Sequence, residues 1–185
     1  MSLSKEIFNA LAFAADRHKG QTRKGLSKTP YINHPIGVAK LLSQYGEDDK
    51  DLLIAALLHD VIEDTTKNKQ EVKEISDIIL EQFGEDVLLY VLEVSDNKSL
   101  PVEERKRLQV EHTPNISDCA KKIKIADKIC NILDIKNDPP KDWSQERKLT
   151  YLDWAKQVVE GAKGLNKELD NYFDQVYQET YSFLK

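Results

Sequence analysis

Glycine and proline are scarce, with seven and six among 185 residues. An all-β sandwich spends both on its many tight turns, so the shortage argues against one and for helices. Cysteine is scarcer still: Cys119 and Cys130 stand alone, with no C-x-x-C spacing. That excludes a disulfide framework and a cysteine-built zinc site, and it points to a reducing, cytoplasmic setting. No apolar run approaches the ~20 residues that span a bilayer. The opening MSLSKEIFNA lacks the apolar stretch of a signal peptide. Basic charge is not in excess either, the formal net charge being −5. A generic nucleic-acid or anionic-membrane binder is usually basic, so neither partner is expected.

What is present is an ordinary globular composition, 40% hydrophobic and 32% charged. There is no internal repeat and no Gly/Ser linker. The expectation is one all-α domain over 1–185, with a core of about 4–136 and C-terminal helices of about 144–183 as a cover. The apolar faces of the last two helices could serve a homo-oligomer as well as the core. Charge is unevenly spread: from Arg17 to Gly46 there is no acidic residue, but there are six lysines and arginines. A compact anionic ligand and a solvated helix flank explain this equally well.

Apolar spacing reads as helical nearly throughout. Ser4 is placed to cap a first helix, and His34-Pro35 opens a second with Pro35 at its first position. Residues 51–62 are apolar almost all round, the mark of a central buried helix. Further helices are expected over 71–82, 85–95, about 102–110 and from Asp118 to about Ile135, with Ser117 as cap. Pro139-Pro140 is a break, and two helices finish the chain.

Ionisable residues in apolar company are the informative ones, because a buried carboxylate is costly unless paired or metal-bound. His59 and Asp60 close the most apolar segment, and Asp127 interrupts an otherwise apolar helix. With His34 they make a mixed N/O set suited to Mn²⁺ or Fe²⁺. Glu63 follows His59 by four residues and shares its face if the helix continues. Asn131 stands in the same relation to Asp127, whereas Lys128, next to Asp127, should point elsewhere. Glu63 and Asp64 could handle the protons of a metal-activated water, and Arg23 and Lys24 could grip phosphate. His18, His112, Cys130, Trp143 and Trp154 read as packing or surface residues.

The motifs Gln21-Thr-Arg-Lys24, Pro30-Tyr-Ile-Asn-His-Pro-Ile-Gly-Val-Ala39, Ala55-Ala-Leu-Leu-His-Asp-Val-Ile-Glu-Asp-Thr65, Phe83-Gly84, Glu104-Arg-Lys-Arg-Leu-Gln109 and Lys124-Ile-Ala-Asp-Lys-Ile-Cys-Asn131, extended by Trp143-Ser144 and Trp154-Ala-Lys-Gln-Val-Val159, carry a resemblance over nearly the whole chain. It resembles the HD-domain hydrolase of the RelA/SpoT alarmone family, most closely the stand-alone metazoan SpoT homologue type. The resemblance implies an HD-domain helical bundle and Mn²⁺-dependent removal of the 3′-pyrophosphate from ppGpp or pppGpp. It implies metal ligation by His34, His59, Asp60 and Asp127, and proton handling by Glu63 and Asp64. It implies nucleotide contacts from Arg23, Lys24 and Asn131, and a cleft lined by Lys98, Arg105, Arg147 and Tyr151. Alternatives on the same site are an NADPH 2′-phosphatase or another nucleotide phosphohydrolase. A catalytically silent nucleotide-binding module is a third.

Overall fold

The computed structural model describes residues 3–185, which form helices joined by short turns. In chain order these are α1 (Leu3–Arg17), α2 (Asn33–Gln44), α3 (Lys50–Leu58), α4 (Val61–Thr65) and α5 (Lys69–Phe83). There follow α6 (Glu85–Val94), α7 (Val102–His112), α8 (Asp118–Asn137), α9 (Gln145–Glu160) and α10 (Lys167–Leu184). No strand forms among the described residues; extended segments meet only as isolated bridges, Thr22 with Pro30 and Gly25 with Pro140. The all-α expectation holds. Ser4 lies inside α1 rather than ahead of it, and Pro35 is the third residue of α2.

Five of the helix starts among the described residues are fixed by polar side chains that take up free first-turn amides. Asp49 accepts from Leu52 N, Asn68 from Glu71 N, Ser117 from Ala120 N, Ser144 from Arg147 N and Asn166 from Leu169 N. Glu71 answers Asn68 by accepting from its side-chain amide and from the Lys67 N–H, a two-way lock on the α5 start. The chain leaves α5 through Gly84 at φ 98°, a conformation that side chains disfavour.

The core is built around α3, whose Leu52, Ile54, Ala55, Ala56, Leu57 and Leu58 are all buried. Helices α1, α2 and α6 pack around it, and α8 lies against α2, α6, α9 and α10. Full burial of one Leu or Ile side chain contributes roughly 1.5–3 kcal/mol. The apolar rows of α3 and α8 therefore fix how these helices approach one another.

One helix expectation fails where it matters. The apolar segment 51–62 is not continuous: α3 stops at Leu58, His59 and Asp60 turn a corner, and α4 begins at Val61. At the corner the His59 ring takes the Ala56 carbonyl at 2.8 Å, so a side chain satisfies an acceptor at the helix end. His59 and Glu63 thus stand on either side of a corner rather than on one continuous helix, and both line the same cavity. Helix α4 is pinned to α1 by Arg17, whose guanidinium donates to Thr65 Oγ1 and to its carbonyl. Gln21 adds a bond to the Asp64 carbonyl at 2.9 Å.

Candidate metal centre and substrate cleft

Four side chains converge where α2, the corner after α3 and the middle of α8 meet. His34 Nε2 stands 3.0 Å from Asp127 Oδ1 and 3.6 Å from Asp60 Oδ2. His59 Nε2 is 3.2 Å from Asp60 Oδ2 and 3.9 Å from Asp127 Oδ1. One donor atom from each of His34, His59 and Asp127 lies within 4.8 Å of the others. Asp60 joins them through its contacts to both imidazoles.

The proton on His59 is fixed by its neighbour. A carbonyl only accepts, so Nδ1 donates to Ala56 O and Nε2 is the atom turned toward the carboxylates, holding a proton there or, in the neutral ring, a lone pair for a metal. That Nε2 is buried and has no hydrogen-bond partner. Burial opposes charge on His59, but Asp60 and Asp127 outweigh it and push its pKa up to about 9. Burial alone would raise both acids. The His59 and His34 imidazoles hold Asp60 below the ordinary carboxylate range, and Lys128 and His34 do the same for Asp127. An orphaned imidazole nitrogen facing clustered carboxylate oxygens is a set of donors awaiting positive charge. Two nitrogens and hard oxygens suit a divalent cation that keeps open positions for water.

The cluster opens onto a cavity of about 470 Å³. Its wall includes most of the residues expected there: Arg23, Lys24, Glu63, Asp64, Lys98, Arg105, Asn131 and Tyr151. Glu63 accepts from the Asp96 N–H at 2.9 Å; burial, then the Asp96, Asp60 and Asp64 charges, push its pKa up to about 7. Arg105 lies 3.8 Å from Glu63 Oε1 and 3.9 Å from Asp96 Oδ2. Lys98 pairs with Asp64 Oδ1, and Lys24 is exposed. Arg147 does not line the cavity; its guanidinium sits 4.5 Å over the ring of Trp143, which does.

Helix α8 carries a polar stripe into the cavity: Asp127, Asn131 and Asp134 fall at spacings of four and three residues, on one face, and Asp138 follows at the helix's C-terminal cap. Arg23 is bound along it, donating to Asp134 Oδ2 at 2.9 and 2.7 Å and to Asn131 Oδ1 at 2.6 Å. Asn131 in turn donates to Asp127 Oδ1 at 2.6 Å. Its amide is oriented by a pure donor on one side and a carboxylate on the other. Gly25 presses on the end of the stripe, where an added Cβ would stand 2.5 Å from the Asp138 carbonyl oxygen.

Sequence reasoning missed several participants. Tyr31 reaches Asp60 Oδ2 at 2.8 Å and Asp64 Oδ2 at 2.5 Å, and burial with those acids raises its pKa. Lys128 does turn back onto Asp127 Oδ2, at 2.9 Å and with 6% of its side chain exposed, against the expectation from adjacent helix positions. A lysine side chain is long enough to undo the usual neighbour rule. Trp143, read as tail packing, is part of the cavity wall, in ring contact with Tyr151 at 5.6 Å between centroids. The periodicity of Asp127, Asn131 and Asp134 was the available signal for the stripe. Tyr31 and Lys128 lie inside the quoted motifs, but no spacing or periodicity gave either a role in the site.

Residues 10–156 match the HD-domain family. A Xenopus tropicalis protein named guanosine-3′,5′-bis(diphosphate) 3′-pyrophosphohydrolase MESH1 is 46% identical over 174 residues, covering 94% of this chain and 93% of its own. The human protein of that name is 43% identical, covering 96% of each. A solved structure described as a metazoan orthologue of SpoT that hydrolyses ppGpp superposes with a TM-score of 0.86 at 40% identity, over 94% of both chains. Among the described residues no helix is long and apolar enough to cross a membrane. With its four-residue N/O cluster set at the corner after α3, this chain belongs to the HD-domain family, among relatives of the MESH1 type.

Proposed function

We propose that the chain hydrolyses the 3′-pyrophosphate of a guanosine 3′,5′-bis-polyphosphate, ppGpp or pppGpp, with Mn²⁺ held by His34, His59, Asp60 and Asp127. The observation that carries this reading is the buried His59 Nε2, which makes no hydrogen bond and faces clustered carboxylate oxygens on the wall of a nucleotide-sized cavity. MESH1-type relatives, whose names state this activity, support the substrate.

When bound, the ion supplies Lewis acidity that brings the pKa of a coordinated water from about 15.7 toward 7. The protein does the rest. Glu63, poised near neutrality, takes a proton from the attacking water, and Asp64, steadied by Lys98 and Tyr31, assists at the leaving group. Lys24, Lys98 and Arg105 offset phosphate charge as the P–O bond breaks. Arg23 acts mainly through Asn131, which holds Asp127 in place. Trp143 and Tyr151 give the purine aromatic surface on the cavity wall. Residues beyond 140 therefore complete the site rather than merely cover the core, and we read 1–185 as one working unit.

The test is product identification. Purified protein with ppGpp and Mn²⁺ is expected to release GDP and pyrophosphate, and EDTA is expected to stop it. Release of orthophosphate from NADPH with ppGpp left intact would move the reading to a 2′-phosphatase. Nucleotide binding with no turnover of either would make the chain a binding module.

A further inference from the structure

We infer that the Tyr31 hydroxyl is a positioning group of the hydrolytic site, a strut that ties the Asp60 carboxylate of the cation cluster to the Asp64 carboxylate of the proton-handling pair. This inference rests on the hydrolase reading above and deepens it. The geometry is direct: Tyr31 Oη lies 2.8 Å from Asp60 Oδ2 and 2.5 Å from Asp64 Oδ2. Asp60 Oδ2 is also the oxygen that faces both imidazoles. The other oxygen of Asp64 is engaged by Lys98. One side chain thus spans the two halves of the site.

A phenol carries one proton and donates it to one carboxylate at a time. With no cation present, two acids compete for that proton. Were Asp60 to share its charge with a bound cation, the phenol proton would be left to Asp64. The strut therefore links cation binding to the orientation of Asp64. Hydrogen-bonded neighbours of ligating carboxylates orient the ligands and tune the site in this way.

The ring has little freedom to swing. It stacks on His18 at 4.7 Å between centroids with planes 23° apart, and the Arg23 guanidinium stands 5.3 Å from its centre. His18 is buried, with Nδ1 2.8 Å from Gln21 Oε1. Gln21 accepts from the Tyr31 N–H on its own carbonyl at 2.9 Å, and its side chain donates to the Asp64 carbonyl at 2.9 Å. Both the strut and one of its targets hang from the same residue.

Tyr31→Phe keeps the ring, the stack and the cation contact and removes only the hydroxyl. Three readouts are taken on purified protein: helical circular dichroism without metal, Mn²⁺ affinity by calorimetry, and kcat and KM for ppGpp at saturating Mn²⁺. The expected result is an unchanged helical signal, Mn²⁺ affinity and kcat each lower by about 10- to 100-fold, and KM nearly unmoved. Wild-type Mn²⁺ affinity and kcat in the variant would overturn the inference, as would a change in KM alone. Lost helical signal before metal is added would also overturn it, by making the hydroxyl a structural support. The two readings fail separately. Wild-type protein that neither binds Mn²⁺ nor cleaves ppGpp overturns both, whereas an active wild type with an indifferent Tyr31→Phe overturns this one alone.

Discussion

Replacing His59 with Ala is expected to lower ppGpp turnover by at least about 10³-fold, given how far a metal shifts the pKa of its water. The variant should keep its helical circular dichroism: the ring gives up one hydrogen bond, to the Ala56 carbonyl, and a 3.2 Å contact of Nε2 with Asp60 Oδ2, while Asp60 keeps Tyr31. Asp127→Ala should lose activity equally but will not be so clean. Asp127 pairs with Lys128, whose side chain is 6% exposed, and accepts from Asn131. Stranding a buried ammonium costs about 3–5 kcal/mol, so this variant should also unfold at lower urea. Steady-state assays with urea melts of both proteins check the contrast. An active His59→Ala enzyme would remove the basis for a metal-dependent reaction.

The second large effect concerns Glu63. Its pKa is pushed up to about 7, first by burial and then by Asp96 and its acidic neighbours. A base must be ionised, so kcat/KM should rise with pH and level off above neutrality, with a midpoint at or below 7 because a bound cation draws the value down. Glu63→Gln should lower kcat by about 10²- to 10⁴-fold and erase that limb of the profile. Stability should move the other way. Between the ordinary carboxylate value and 7 the folded state binds more protons than the unfolded one, so this group's contribution falls as pH rises through that window. Glu63→Gln should therefore melt higher than wild type at pH 8. A pH-rate profile with an intact limb in the variant would assign the base elsewhere.

The parts of the site that sequence made legible share one physical signature. His59, Asp60 and Asp127 are costly groups in apolar helices, and burial without a partner is too expensive to be accidental. Asn131 followed from a four-residue spacing along α8, a local rule that survives folding. The hidden parts depend on distant segments meeting. Arg23 looked like a free phosphate ligand, but its guanidinium is bound to Asp134, 111 residues away. The basic stretch from Arg17 to Gly46 is thus partly spent inside the protein, with Arg17 on Thr65 and Arg23 on Asp134. The corner at His59 and Asp60 was hidden because both residues keep helical backbone angles, with φ −56° and −96°. What breaks the helix there is a side chain taking a carbonyl and a carboxylate drawn to Tyr31. Trp143 carried no distinguishing pattern; the packing of α9 against α8 and the bridge between Gly25 and Pro140 bring its segment to the cleft.

Crystals soaked in Mn²⁺ and measured at the manganese absorption edge test the central claim most directly. The account predicts a single strong anomalous peak per chain, within coordination distance of His34 Nε2, His59 Nε2 and oxygens of Asp60 and Asp127. A peak elsewhere, or none at saturating Mn²⁺ with the four side chains well ordered, would contradict it.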